Sequence, residues 1–365
     1  MNLLLKEIRR NPLLWLLVFV PAVLVAEHLG LGSPTLLFVL SVLAIVPLAA
    51  LTSRATEGVA AKTGDAVGGM LSATLGNLTE MIIALAALRA GEYMLVKATM
   101  IGAIVTKSLF VLGASLLLGG LRNHVQKFNQ AGARLQAGQL FLAVVALLVP
   151  SAVGAADAVK GTAFTANLSF SLAILLLSLY GLGLLFSLKT HKEFFGSAEA
   201  HSGEESAPWP MSLALGTLGG VTVLTALISE VFVGSVQEAA KTLGMTDAFV
   251  GFVVVSLVGG IPEMATAFSA ARKDRLDISI GIALGSATQI AVCVVPVLVL
   301  ISYVIGPSPM TLQFWPGAVV MILLATLTAT LVSNGGRSAW FLGVMVLTVY
   351  LTFAFTLFLL PPLAH

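Results

Sequence analysis

The sequence predicts an all-α polytopic membrane protein with about eleven transmembrane helices: two inverted five-helix repeats preceded by one extra helix. Three observations predict it. Of 365 residues, 58% are hydrophobic and only 10% charged, with a mean hydropathy of +1.02. A soluble domain carries about 25% charged residues, so these charges are too few to cover a soluble surface. Apolar runs of about 20 residues, the length that crosses a bilayer, recur along the chain. Two stretches also align with each other, without a gap, at a constant offset of 183 residues. The net charge of +2 gives no reason to expect a nucleic-acid partner. The single cysteine, Cys293, excludes an intrachain disulfide framework and sits in an apolar run, where packing is its expected role.

Backbone groups in lipid must be satisfied within their own segment, so each apolar run reads as a helix. The runs cover 12–28, 34–53, 66–88, 94–119, 138–156, 164–188, 211–233, 247–270, 278–303, 311–332 and 338–360. The first belongs to an N-terminal helix region, 1–30. Basic residues before its apolar run give it a loosely signal-peptide-like look, but more spans follow and no A-x-A site is present, so a retained helix is expected. The second and seventh runs are expected to continue as amphipathic helices through Glu57 and Gln237. Spans two to six form the first repeat, 31–188, and spans seven to eleven the second, 211–365. Between them, 189–210 is an acidic linker with Glu193, Glu199, Glu204 and Glu205. It reads as a solvated cytoplasmic connection; with His191 and His201, a pH- or cation-sensing loop is the sharper alternative.

Lys and Arg set the orientation. With the N-terminus inside, Lys6, Arg9, Arg10, Arg54, Lys62, Arg122, Lys127, Arg134 and most others face the cytoplasm. Only Arg89, Lys97, Lys160 and Lys241 face outward, and Lys107 lies within a span. The N-terminus is therefore expected inside and the C-terminus outside, in a bacterial-type inner membrane.

The repeat is centred on two carboxylates. Glu80, in "ATLGNLTEMIIALAAL", falls in the middle of an apolar run, and Glu263 is its partner at the offset of 183. Gly76 with Gly259, Met81 with Met264, Arg89 with Arg272 and Gly102 with Gly285 follow the same offset. Each unit has an odd number of spans, so the two copies run in opposite directions across the bilayer. Inverted repeats of this kind build many secondary transporters, with broken helices and the substrate site near the midplane. Gly76, Gly259, Gly260 and Pro262 supply the breaks and can free backbone carbonyls.

A charge at the bilayer centre costs about 2.5–3.5 kcal/mol on insertion scales. Two carboxylates beside freed carbonyls make a hard-oxygen cage. It suits Ca²⁺ first and Na⁺ or K⁺ second, and does not suit zinc. Ser286 and Gln289, three apart on one helix face, and Thr106, four after Gly102, add side-chain oxygen. A site that is either protonated or cation-loaded would couple the two ions. Lys107 lies too deep for its stem to reach either interface and is expected to pair with Glu80 or Glu263 as a tethered cation. No H-E-x-x-H or G-x-S-x-G motif is present and the five histidines fall at span ends or in loops, so no enzyme and no cofactor are expected beyond the transported ions.

"GNLTE", "GGIPE" and "ALGSATQIAV" resemble the signatures of the cation/proton exchanger family within the calcium/cation antiporter superfamily, and "RATEGVA" and "ISEVFV" resemble its acidic positions on the second and seventh helices. The resemblance covers nearly the whole chain. It implies Ca²⁺/H⁺ antiport by alternating access, with Glu80 and Glu263 as ligands and proton carriers. It also implies Asn77 and Gln289 as secondary ligands, and the helices bearing Glu57 and Glu230 as gates. The chain departs from the family pattern at Gly260, in place of Asn, and at Met264, in place of His. Ala103 and Ala287 replace serines, and Lys107 stands where the first repeat has Asn. A monovalent-cation/proton antiporter is the alternative and a cation channel the third reading. The expected partners are the ions and the lipid bilayer; homo-oligomerisation stays open.

Overall fold

A computed structural model of the chain describes residues 7–9, 11–63, 65–156, 161–190 and 209–359. The predicted fold class is borne out: nearly every described residue is helical. The helices are α1 (Pro12–His28), α2 (Pro34–Thr63), α3 (Asp65–Leu75), α4 (Leu78–Arg89), α5 (Tyr93–Asn123), α6 (Gln130–Ala156), α7 (Gly161–Leu185), α8 (Met211–Thr242), α9 (Asp247–Gly259), α10 (Ile261–Arg272), α11 (Leu276–Ile305), α12 (Pro316–Ser333) and α13 (Trp340–Leu359). Each of the eleven apolar runs has become a helix or a broken pair of helices. Among the described residues, eight helices are long and apolar enough to cross a membrane singly, and the bent pair α9–α10 makes a ninth candidate. The first run, Pro12–His28, is too short an apolar helix to count as a span; it opens as a 3₁₀ helix over Pro12–Val18. The third is divided by the break at Gly76 and Asn77 into helices of 11 and 12 residues.

As the sequence led us to expect, α2 and α8 outrun their apolar cores and reach Thr63 and Thr242. Of the linker, residues 191–208, with all its histidines and glutamates, lie outside the described residues, as does Lys160. At its two ends, α7 is extended by a π turn, Phe186–Thr190, and Trp209 is buried.

Two compact units are formed, and each draws on both sequence repeats. Met1–Thr99 and Gly203–Pro262 make the first, and Met100–Ser202 and Glu263–Leu359 the second. In the first unit, α2 and α8 pack along their length, with Phe38 stacked on Phe232 at 5.4 Å between ring centroids. Close approach is possible because Gly58 lacks a Cβ; one built there would lie 3.1 Å from the Ala214 Cβ. In the second unit, α5 and α13 meet through Gly113 and Gly343. A Cβ on Gly343 would stand only 2.5 Å from the Gly113 carbonyl oxygen. At one end of this unit β1 (Val125–Lys127) pairs antiparallel with β2 (Arg337–Ala339). Phe164, Leu175 and Leu182 on α7, with Phe341 and Phe355 on α13, remain exposed, the outward apolar surface of an integral multi-pass membrane protein.

Candidate cation site

Both glutamates sit at the same place in a helix that restarts after a break. In the first repeat, α3 ends at Leu75, Gly76 and Asn77 form a turn, and α4 restarts at Leu78, putting Glu80 third in the new helix. In the second, α9 ends at Gly259 and α10 restarts at Ile261 with a bend of 60°, putting Glu263 third. Pro262 fits there because the first turn of a helix needs no N–H from it. The N-terminal ends of α4 and α10 point their unsatisfied N–H groups toward these first turns and favour negative charge there. The two predicted interruptions are therefore present, and they coincide when one repeat is displaced by 183 residues onto the other.

In the first unit, Glu80 is 1% exposed and Asn77, at the N-cap position of α4 without a side-chain capping bond, is also 1% exposed. Gly259 lies directly against the Glu80 side chain: a Cβ on it would fall 2.9 Å from Glu80 Cγ. Gly76 stays exposed at the turn and contributes backbone only. The proposed gate residues lie in the same unit, and each is paired with an arginine. Glu57 Oε2 is 3.4 Å from Arg54, whose guanidinium stacks over Trp209 at 5.9 Å and reaches Glu7 at 3.6 Å. Glu230 Oε1 is 3.1 Å from Arg89. Glu92 accepts two contacts from Gln237 at 2.8 Å.

In the second unit, Glu263 is joined by Lys107 and Ser286. Lys107 Nζ lies 2.7 Å from Glu263 Oε2 and donates to Ser286 Oγ at 2.7 Å. The Ser286 hydroxyl donates to Glu263 Oε1 at 2.9 Å. Of the two partners the sequence allowed for Lys107, the structure selects Glu263. Thr106 is fully buried and donates to the Tyr350 hydroxyl at 3.3 Å, with Phe110 against the Tyr350 ring at 5.2 Å. Gln289 closes the regular part of α11, half-buried, one turn beyond Ser286. Among the described residues, no three His, Cys, Asp or Glu side chains come together.

Two features were missed from the sequence. Tyr350, the partner of Thr106, stands in the last apolar helix with nothing to distinguish it from a packing aromatic. The other is helical irregularity: α5 winds as a π helix over Thr106–Val111 and α11 over Ile290–Val294. Displaced by 183 residues, the first segment falls on 289–294, so both repeats carry the same irregularity. Such π segments inside α-helices recur at functional sites.

The comparisons agree with this architecture. The family model of the sodium/calcium exchanger protein matches residues 33–189 and 213–359. A Ca²⁺/H⁺ antiporter of Synechocystis sp. is 40% identical over 363 residues, covering 95% of this chain and 97% of that protein. The Ca²⁺/H⁺ antiporter ChaA of Bacillus subtilis is 36% identical over 327 residues, covering 89% and 92%. Among solved structures, native YfkE superposes with a TM-score of 0.82 at 32% identity, over 95% of this chain and 100% of that one. The H⁺/Ca²⁺ exchanger CAX shares the fold at a TM-score of 0.73 and 19% identity, over 96% and 88%. The chain belongs to the sodium/calcium exchanger family, and these relatives bear out its resemblance to the cation/proton exchangers.

Proposed function

We propose that the protein exchanges a cation, Ca²⁺ in the first place, for protons across the membrane by alternating access, with Glu80 and Glu263 each carrying cation and proton in turn. The observation that carries this reading is the matched placement of the two carboxylates. Each is third in a helix that restarts after a break, at equivalent positions of two repeats. The relatives named as Ca²⁺/H⁺ antiporters support it. A carboxylate withdrawn from water is stable either protonated or against a cation, and rarely bare. Coupling follows from that exclusion, because loading one ion expels the other.

Around these carboxylates, Asn77, Thr106, Ser286 and Gln289 would supply neutral oxygens, with the backbone at Gly76 and Gly259 left open by the helix breaks. Glu57 and Glu230 would serve as gates, on the two longest helices of the first unit. The repeats would run over 31–188 and 211–365, with the N-terminus cytoplasmic and the C-terminus outside, in a bacterial-type inner membrane.

The test is proton flux in reconstituted vesicles with Ca²⁺, Na⁺ and K⁺ added in turn. Saturable flux that reverses with the proton gradient supports a carrier. Flux that is linear in ion concentration, or independent of protons, overturns it.

A further inference from the structure

We propose that Lys107 is a cation built into the chain: it holds the place of the transported ion at Glu263, must be displaced before an ion binds there, and discriminates against singly charged ions. The inference rests on, and deepens, the cation/proton exchange reading.

The side chain of Lys107 is 1% exposed, near the middle of the 31-residue helix α5. At about 1.5 Å rise per residue, either end of α5 is roughly 20 Å away, so the ammonium is committed to an internal partner. That partner is Glu263, with Ser286 beside it; Nζ stands 2.7 Å from an oxygen of each. A Ca²⁺ ion bound to the same two oxygens would sit about 2.3–2.6 Å from them. The ammonium and the ion therefore claim one position, and two positive centres cannot share it. Lys107 is the second residue of the π segment Thr106–Val111, a departure from α geometry that is frequent at functional sites.

Selectivity follows from charge. A tethered ammonium competes at a high effective concentration, because it never diffuses away. A monovalent ion offers Glu263 no more charge than the ammonium already does. A divalent ion offers twice the Coulomb attraction at equal distance and can displace it. Where the family pattern has a neutral Asn, this chain therefore trades cation affinity for discrimination. A merely structural ion pair, tying α5 to α10 and α11, would have no such effect on which ions bind.

The test is calorimetry on the purified full chain with CaCl₂ alone, and with NaCl or KCl as competitor against choline chloride. Lys107→Gln is expected to bind Ca²⁺ at least tenfold more tightly than the wild type and to let Na⁺ or K⁺ compete. Lys107→Arg, which keeps the charge, is expected to do neither. Unchanged or weaker Ca²⁺ binding in Lys107→Gln, or equal tightening in Lys107→Arg, overturns the proposal. Should the Gln variant fail to fold, the wild type decides. A Ca²⁺-loaded structure with Nζ more than about 4 Å from Glu263, beyond ion-pair range, supports displacement; an intact ion pair beside bound Ca²⁺ overturns it. A wild type that binds no cation and drives no proton flux refutes the exchange reading itself, a result distinct from all of these.

Discussion

Gly259 stands against Glu80 so closely that a Cβ built on it would lie 2.9 Å from Glu80 Cγ, 3.2 Å from Cδ and 3.4 Å from Oε1. The first repeat's carboxylate is thus seated on a glycine that belongs to the second repeat's sequence, inside one compact unit. The position has an ordinary backbone angle, so space alone demands glycine. Gly259→Ala is expected to push the Glu80 carboxylate off its position. Overpacking of this kind costs about 1–3 kcal/mol, a loss of stability that a thermal melt would register. Cation-driven proton flux should fall by at least tenfold. A variant with wild-type flux would show that the position of Glu80 is not critical.

Glu80→Gln and Glu263→Gln should each abolish cation-dependent proton flux. Glutamine keeps the shape and one acceptor but cannot cycle a proton. At Glu263 the substitution also leaves Lys107 without its anionic partner. Lys107 is buried while the Glu263 side chain is 19% exposed; a buried ammonium deprived of its counter-charge is destabilising, so this variant should be the less stable of the two. Size-exclusion profiles and melting curves would separate the loss of chemistry from the loss of fold, and near wild-type exchange in either variant would remove that carboxylate from the mechanism.

The parts of this site that depend on residue type were legible, and the parts that depend on backbone winding were not. Gly76–Asn77 and Gly260–Pro262 announce a broken helix because glycine and proline weaken it for local reasons, and the breaks fall there. Glu80 and Glu263 stand out because charge in an apolar run is costly. The π segments at Thr106–Val111 and Ile290–Val294 leave no such mark, since one extra residue per turn changes neither composition nor length enough to be seen. The strands at Val125–Lys127 and Arg337–Ala339 are too short to show alternation and pair across a long stretch of chain. The choice of Glu263 over Glu80 as the Lys107 partner depends on packing, about which spacing along the sequence is silent.

Cation affinity should fall as the pH drops on the loading side. Protons and cation compete for the same carboxylates, so acid occupies the sites and rising pH frees them until affinity levels off. Titrating Ca²⁺ binding over a pH series gives the curve. An affinity that stays flat over the range in which flux changes would mean separate paths for the two ions.

Replacing residues 191–208 with a Gly/Ser segment of equal length should leave basal exchange intact. The segment is too polar to bury a core. The replacement must stop short of Trp209, which is buried beside Gly58 and beneath Arg54. Loss of turnover with a preserved fold would point instead to a sensing role for the glutamates and histidines of the segment.

The gate assignment is tested through Arg89 and Glu230. Their ion pair, 3.1 Å long, is exposed on both sides, at 73% and 56% of the side chain. Exposed pairs contribute only about 0–1 kcal/mol and are weakened by salt. Glu230→Gln and Arg89→Gln should therefore barely move the melting temperature. If the pair latches one conformation of the transport cycle, each variant should still change turnover several-fold, in the same direction, with Ca²⁺ affinity unchanged. The double variant should do no more than either single one, because both remove the same contact. Raising the ionic strength should shift the wild type toward the variants. Turnover that is unaltered in all three variants would leave Glu230 as a surface acid with no part in gating.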